Sequence, residues 1–178
     1  MRNKILLFVV ICMLGLTFLL TTPSQTALLF YKENTSNIEA FLPLEPGDCF
    51  TIIFTHSIHL TDVEEKYMIT NEMEIVQTDM IYEQFGIGMP SNAEGQATFD
   101  YQNGTYHLSN LNQHFEHMKI RNGKTVSNHR LQWYKDNHTH MVHFNDYFAP
   151  GDWFTVKVEK LSFLQYLKGV RIDADQSS

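Results

Sequence analysis

The sequence predicts an all-β fold: an antiparallel β-sandwich or barrel-like domain with a short C-terminal helix, carried behind one N-terminal transmembrane helix. Three observations lead there. From Asp48 onward, short segments rich in β-branched and aromatic residues alternate mostly with period two. Turn residues separate these segments, above all Asn103-Gly104 and Asn122-Gly123, which tolerate the positive φ of a tight hairpin. Ahead of them lies "ILLFVVICMLGLTFLL", an apolar run without a single charge.

That run is the first element. A helix over residues 5–22 would reach roughly 27 Å, close to the thickness of a bilayer core. Arg2 and Lys4 precede it, and the next charged residue is Lys32. A basic flank holds the N-terminus in the cytoplasm and puts the rest of the chain on the extracytoplasmic face. The alternative is a cleaved signal peptide and a secreted product. Its cleavage sites are poor, since "TPS" carries Pro23, "SQT" ends in threonine, and Cys12 follows "VVI" instead of a lipoprotein box. Residues 1–22 are therefore expected to stay as an anchor.

Residues 23–46 carry Pro23, Pro43 and Pro46 with little periodicity, and read as a tether. Residues 47–178 form the extracytoplasmic β-domain. With 43% hydrophobic and 19% charged residues, the chain is globular in composition. A net charge of −7 argues against nucleic acid and against polybasic docking on anionic lipid. Cys12 lies inside the apolar run, so Cys49 has no disulfide partner and the core must hold the domain together.

The strand candidates run from "CFTIIFTHSI" through "EEKYMIT", "MEIVQTDM", "QATFDY", "TYHLSN", "HMKIR", "HRLQWYK" and "HMVHFND" to "WFTVKVEK". The helix is "LSFLQYLKGV", with Leu161, Leu164, Leu167 and Val170 at helical spacing. It is expected to pack on the sheet, with membrane-surface contact as the alternative.

The stretch "TIIFTHSIHLTDVEEKY" carries the most chemistry. Closing a hairpin through His59–Asp62 pairs Ile58 with Val63, His56 with Glu65, Phe54 with Tyr67 and Ile52 with Ile69, matching the apolar phases. His56 and Glu65 then meet on the inner face, while Ser57 faces Glu64 outside. His56 and Ser57 point apart on a strand, which disfavours a nucleophile–base pair, and no G-x-S-x-G elbow exists. A buried His–Glu pair either closes the hairpin or serves as a recognition site.

Other motifs have plainer readings. "FGIGMP" offers Gly86, Gly88 and Pro90, but no helix follows to complete a phosphate cradle, so a shaped turn is expected. "HTHMVH" puts His138 and His140 on one strand face, half of a metal site lacking a third ligand. His114 and His117 align only on a helix. Trp133 and Trp153 fit core or cleft walls. No cofactor is expected.

The string "FTHSIHLTDVEEKY", followed by "YEQFGIGMP", resembles the family called domain of unknown function 1850. The matching residues are His56, Ser57, Val63, Glu64, Glu65, Phe85, Gly86, Gly88 and Pro90. The resemblance spans roughly Gly47 to Lys160 and is sharpest in its first half. It implies a small exported or anchored protein working beside TAXI-type TRAP transporters, which import small organic anions through an extracytoplasmic solute receptor. It implies no activity and no site. The expected function is thus a non-catalytic accessory of such an uptake system, touching the membrane through residues 5–22 and a transporter subunit or solute receptor through His56, Ser57, Glu64 and Glu65. A metal-dependent enzyme using His138 and His140, and a purely structural interaction domain, are the alternatives.

Overall fold

The structure, a computed structural model, describes residues 2–85 and 88–173. Helix α1 (Arg2–Thr21) is apolar along its length, with a mean hydropathy of 2.5 over Asn3–Thr21 and none of that window buried. By length and composition it can cross a membrane.

Residues 23–46, expected as a tether, instead supply an edge strand and the inner strand beside it in a sheet. Strands β1 (Pro23–Lys32) and β2 (Ile38–Leu42) pair with each other, and β1 pairs on its other side with the last strand. Leu28 and Phe30 enter the main core, while Ala27 and Leu29 enter a second cluster on the opposite face. A strand buried on both faces has no polar phase, so "TALLFY" shows no alternation.

The remaining strands are β3 (Cys49–Thr55), β4 (Asp62–Ile69), β5 (Ile75–Tyr82), β6 (Thr98–Gln102), β7 (Thr105–Phe115), β8 (Met118–Arg121), β9 (Arg130–Lys135), β10 (His138–His143) and β11 (Trp153–Ser162). They form a four-stranded sheet ordered β2-β1-β11-β8 and a seven-stranded sheet ordered β10-β9-β3-β4-β5-β7-β6. Every ladder between these strands is antiparallel. The two sheets face each other across one core, in which Leu28, Phe30 and Val156 meet Phe50, Ile52, Leu131 and Trp133. Fully burying one such side chain is worth about 1.5–3 kcal/mol.

Turn chemistry explains most of the connections. Asn103 and Gly104 both take positive φ (53° and 90°) and close the β6–β7 hairpin as expected. Asp136 and Asn137 do the same for β9–β10, at φ 53° and 64°. Asn122-Gly123, the other expected hairpin, is not one. β8 and β9 belong to different sheets, and Asn122 is buried, its amide donating to Asn145 Oδ1 (2.9 Å), the Phe148 carbonyl (3.1 Å) and the Ala149 carbonyl (3.3 Å).

The C-terminal helix is shorter than its pattern. Helix α2 (Phe163–Lys168) begins with a capping box between Ser162 and Gln165. Leu161 belongs to β11 and is buried, whereas Leu167 and Val170 are exposed. Trp133 is a core residue, but Trp153 points outward under the Arg121 guanidinium.

Candidate functional site

β3 and β4 are joined by a loop over residues 56–61, not by the shorter turn expected at 59–62. The ladder pairs Ile52 with Glu65, Ile53 with Glu64, Phe54 with Val63 and Thr55 with Asp62. The expected His56–Glu65 pair is therefore absent, and so is the Ser57–Glu64 pair. Both registers place the same residues on the inner face, so phase matching alone could not choose between them. Loop closure decides it: the His56 N–H donates to the Thr61 carbonyl at 2.8 Å, and the Leu60 N–H to the His56 carbonyl at 2.9 Å.

Inside the loop His56 is a brace. Its Nδ1 accepts from the backbone N–H of Ile58 (3.3 Å) and His59 (3.4 Å), and its ring stacks on His59 with centroids 5.0 Å apart. Leu60 takes φ 58°, a region costly for a side chain with a Cβ. The tip thus displays Ser57, Ile58 and Leu60, the two apolar residues 60% and 65% exposed.

A neighbouring loop, residues 122–129, supports this tip. The Thr55 N–H donates to the Ser127 carbonyl at 2.8 Å. Arg130 pairs with Asp62 at 2.7 Å, and Thr55 donates to the same carboxylate at 2.9 Å. The Arg130 guanidinium, helped by Thr55, holds the Asp62 carboxyl below its usual range against a smaller effect of burial. His129 sits between Phe54 and Phe144, and burial, reinforced by the Arg130 charge, lowers its pKa from 6.5 to about 4. The imidazole is therefore neutral in the native state at neutral pH.

The two carboxylates of the motif have separate fates. Glu64 lies on the outer face of the seven-stranded sheet, half-buried between Ile53 and Ile81. Glu65 lies on the inner face between Ile52 and Met80, where the Tyr67 hydroxyl donates to it at 2.7 Å. Burial pushes the Glu65 carboxyl up, with the Tyr67 bond pulling the other way.

The tip stands at the end of the sandwich away from α1. Asp48, just before β3, borders an open groove shared with Gln25 and Thr26, a few residues past α1. β3 then runs from Cys49 to Thr55, roughly 20 Å of strand, before the loop begins.

The other expected site residues are dispersed. His138 Nδ1 contacts the Asp136 carbonyl (2.8 Å), and His140 Nε2 the Lys135 carbonyl (3.2 Å) while its ring stacks on Trp133. Both imidazoles are thus engaged within their own hairpin. No group of three or more His, Cys, Asp or Glu residues suited to a metal occurs among the described residues. Gly86 lies outside the described residues. Gly88 takes φ 87°, and the Pro90 carbonyl accepts from the buried Tyr82 hydroxyl. Phe85 packs on Tyr106 with centroids 4.1 Å apart, within an aromatic group that includes Tyr82 and Phe99.

Sequence reasoning missed Asp62, Arg130, His129 and Asn122. Asp62 reaches Arg130, and Phe54 the adjacent His129, only because β3 pairs with both β4 and β9, the latter far away in the chain. Asn122 carried a visible signal, but Asn-Gly is equally a hairpin signature.

No curated protein and no solved structure matches the chain. The model of the family described as domain of unknown function (DUF1850) matches residues 50–141, which runs from β3 through β10 and takes in the 56–61 loop, both glutamates and the Phe85 segment, and the chain belongs to that family.

Proposed function

We propose that the protein is a membrane-anchored, extracytoplasmic and non-catalytic accessory of a solute uptake system of the TAXI-type TRAP class. In this reading α1 holds the domain at the membrane and the 56–61 loop meets a transporter subunit or solute receptor. The observation that carries it is the pairing of exposed Ile58 and Leu60 with a braced backbone, because a fixed loop with open apolar side chains loses little entropy on docking. The transporter class comes from the resemblance of the His56–Tyr67 segment to its family.

The test is uptake of small organic anions by cells carrying the double variant Ile58→Ser, Leu60→Ser. Both positions are solvent-facing, so the thermal midpoint should stay within a few degrees of the parent's. Uptake should fall to the level of a strain lacking the protein. Normal uptake with a folded, membrane-located variant would refute the loop as the docking element.

A further inference from the structure

We propose that α2 and the turn after it form a second lipid contact, seated in the headgroup region of the membrane that α1 spans. The proposal rests on the anchored reading above and adds a surface to it. The geometry begins at the end of α1. That helix stops at Thr21, β1 starts at Pro23, and Pro23 pairs with Ser162, the N-cap of α2. Helices α1 and α2 touch. In a bilayer crossed by residues 3–21, α2 therefore lies where hydrocarbon gives way to headgroups.

The surface of α2 suits that place. One side is committed to the protein: Tyr166 packs on Phe41 with centroids 5.1 Å apart, and its hydroxyl accepts from Arg171 at 2.8 Å. The following turn is tied to β2, since the Phe41 N–H donates to the Val170 carbonyl (2.9 Å) and the Ile172 N–H to the Phe41 carbonyl (2.8 Å). The other side is open. Phe163 and Leu167, one helical turn apart, are 45% and 65% exposed, and Val170 continues them at 52%. Lys168 and Arg171 follow in the same segment and are exposed, Arg171 pairing with Asp173 at 3.3 Å. Apolar side chains flanked by lysine and arginine are the composition of a helix lying in an interface, where the stems reach back to phosphates. The protein is acidic overall, yet this corner carries its own cations beside the membrane span. With α1 in the bilayer, a local contact here would fix the tilt of the domain and the height of the 56–61 loop.

The experiment uses the full chain in vesicles of phosphatidylcholine and phosphatidylglycerol, with Cys12→Ala and Cys49→Ser removing the native thiols. Nitroxide labels are placed singly through Leu14→Cys in α1, Leu167→Cys in α2 and Glu83→Cys after β5, near the far tip. Collision rates with oxygen and with a water-soluble nickel chelate are compared. The oxygen-to-nickel ratio at 167 should resemble that at 14 and stand several-fold above that at 83. A ratio at 167 equal to that at 83, with 14 still in lipid, overturns the second contact and leaves the anchor intact. Ratios at 14 and 167 both equal to that at 83 remove the anchored reading and this proposal with it. Dipolar broadening between labels at 167 would show a second copy of the chain covering α2, and would also overturn the proposal.

Discussion

On the inner face of β4 the Tyr67 hydroxyl donates to the Glu65 carboxylate at 2.7 Å, and that bond replaces the imidazole partner the sequence pointed to. A half-buried carboxylate held by one neutral donor is a different object from a His–Glu pair. Its charge is a cost to folding, and burial raises its pKa accordingly.

The first prediction concerns that charge. Between the unfolded and the raised native pKa of Glu65, the native state binds more protons, so stability falls as pH rises through that window. Above it the penalty is complete. Glu65→Gln should therefore leave stability at neutral pH unchanged or raised, and the difference should vanish in acid, where the carboxyl is protonated in both states. Tyr67→Phe should cost about 1–3 kcal/mol at neutral pH, because it strands the carboxylate without its donor. The cost should shrink in the Glu65→Gln background. Urea unfolding of the two single variants and the double variant measures this, and strong destabilisation by Glu65→Gln alone would show a missed cation.

The limits of the sequence reading have the same physical root. Strands exposed on one face were legible because burial on the other imposes period two, as in "YMI" of β4 and "WFTVKVE" of β11. β1 was not, because Leu28 and Leu29 are both buried, on opposite faces of the sheet. The pairing of β3 with β4 was legible, but its register was not, since the observed and expected registers share the same phase. The apolar helix was plain from composition alone. Of the candidate site, the sequence located the loop and misplaced its contacts: His56 faces its own backbone, and the loop's ionic support, Arg130, comes from β9.

Acid stability should report His129. The unfolded chain takes up a proton near pH 6.5, whereas the native imidazole resists until about pH 4. Over that interval the unfolded state binds more protons, so stability falls as pH drops and levels off below pH 4. The amplitude is on the order of 1–3 kcal/mol. His129→Phe keeps the ring between Phe54 and Phe144 and removes the titration, so it should flatten this limb. Thermal midpoints of parent and variant from pH 7.5 to 4 are the measurement. Parallel curves would mean that His129 is protonated in the native state.

Asn122 should be among the costly polar positions. Its amide donates to a side-chain oxygen and to two carbonyls of the segment leading into β11. Asn122→Ala leaves those acceptors without a donor in a buried place, at a cost of about 1–3 kcal/mol. Asn122→Asp should be worse at neutral pH, because it brings a buried charge towards the same carbonyl oxygens. Guanidinium unfolding of both variants tests the order, and a harmless Asn122→Ala would mean that water replaces the amide.

The strongest prediction is about where the folded unit begins. A chain starting at Gly47 would contain nearly all of the alternating strands, and was the natural domain on sequence grounds. It would lack β1 and β2. β11 would then lose its β1 partner, and the core would lose Leu28, Phe30, Ala40 and Leu42. At about 1.5–3 kcal/mol for each large apolar side chain, that loss rivals the 5–15 kcal/mol by which a domain is usually stable. The Gly47 chain should therefore be unfolded or aggregated, with flat near-ultraviolet circular dichroism and no cooperative melt. A chain starting at Pro23 keeps every strand and should melt cooperatively. The comparison also bears on the proposed anchor, since α1 passes into β1 through Thr22 alone, leaving almost no slack between that helix and the sheet. A cooperative melt from the Gly47 chain would restore residues 23–46 to the role of a tether.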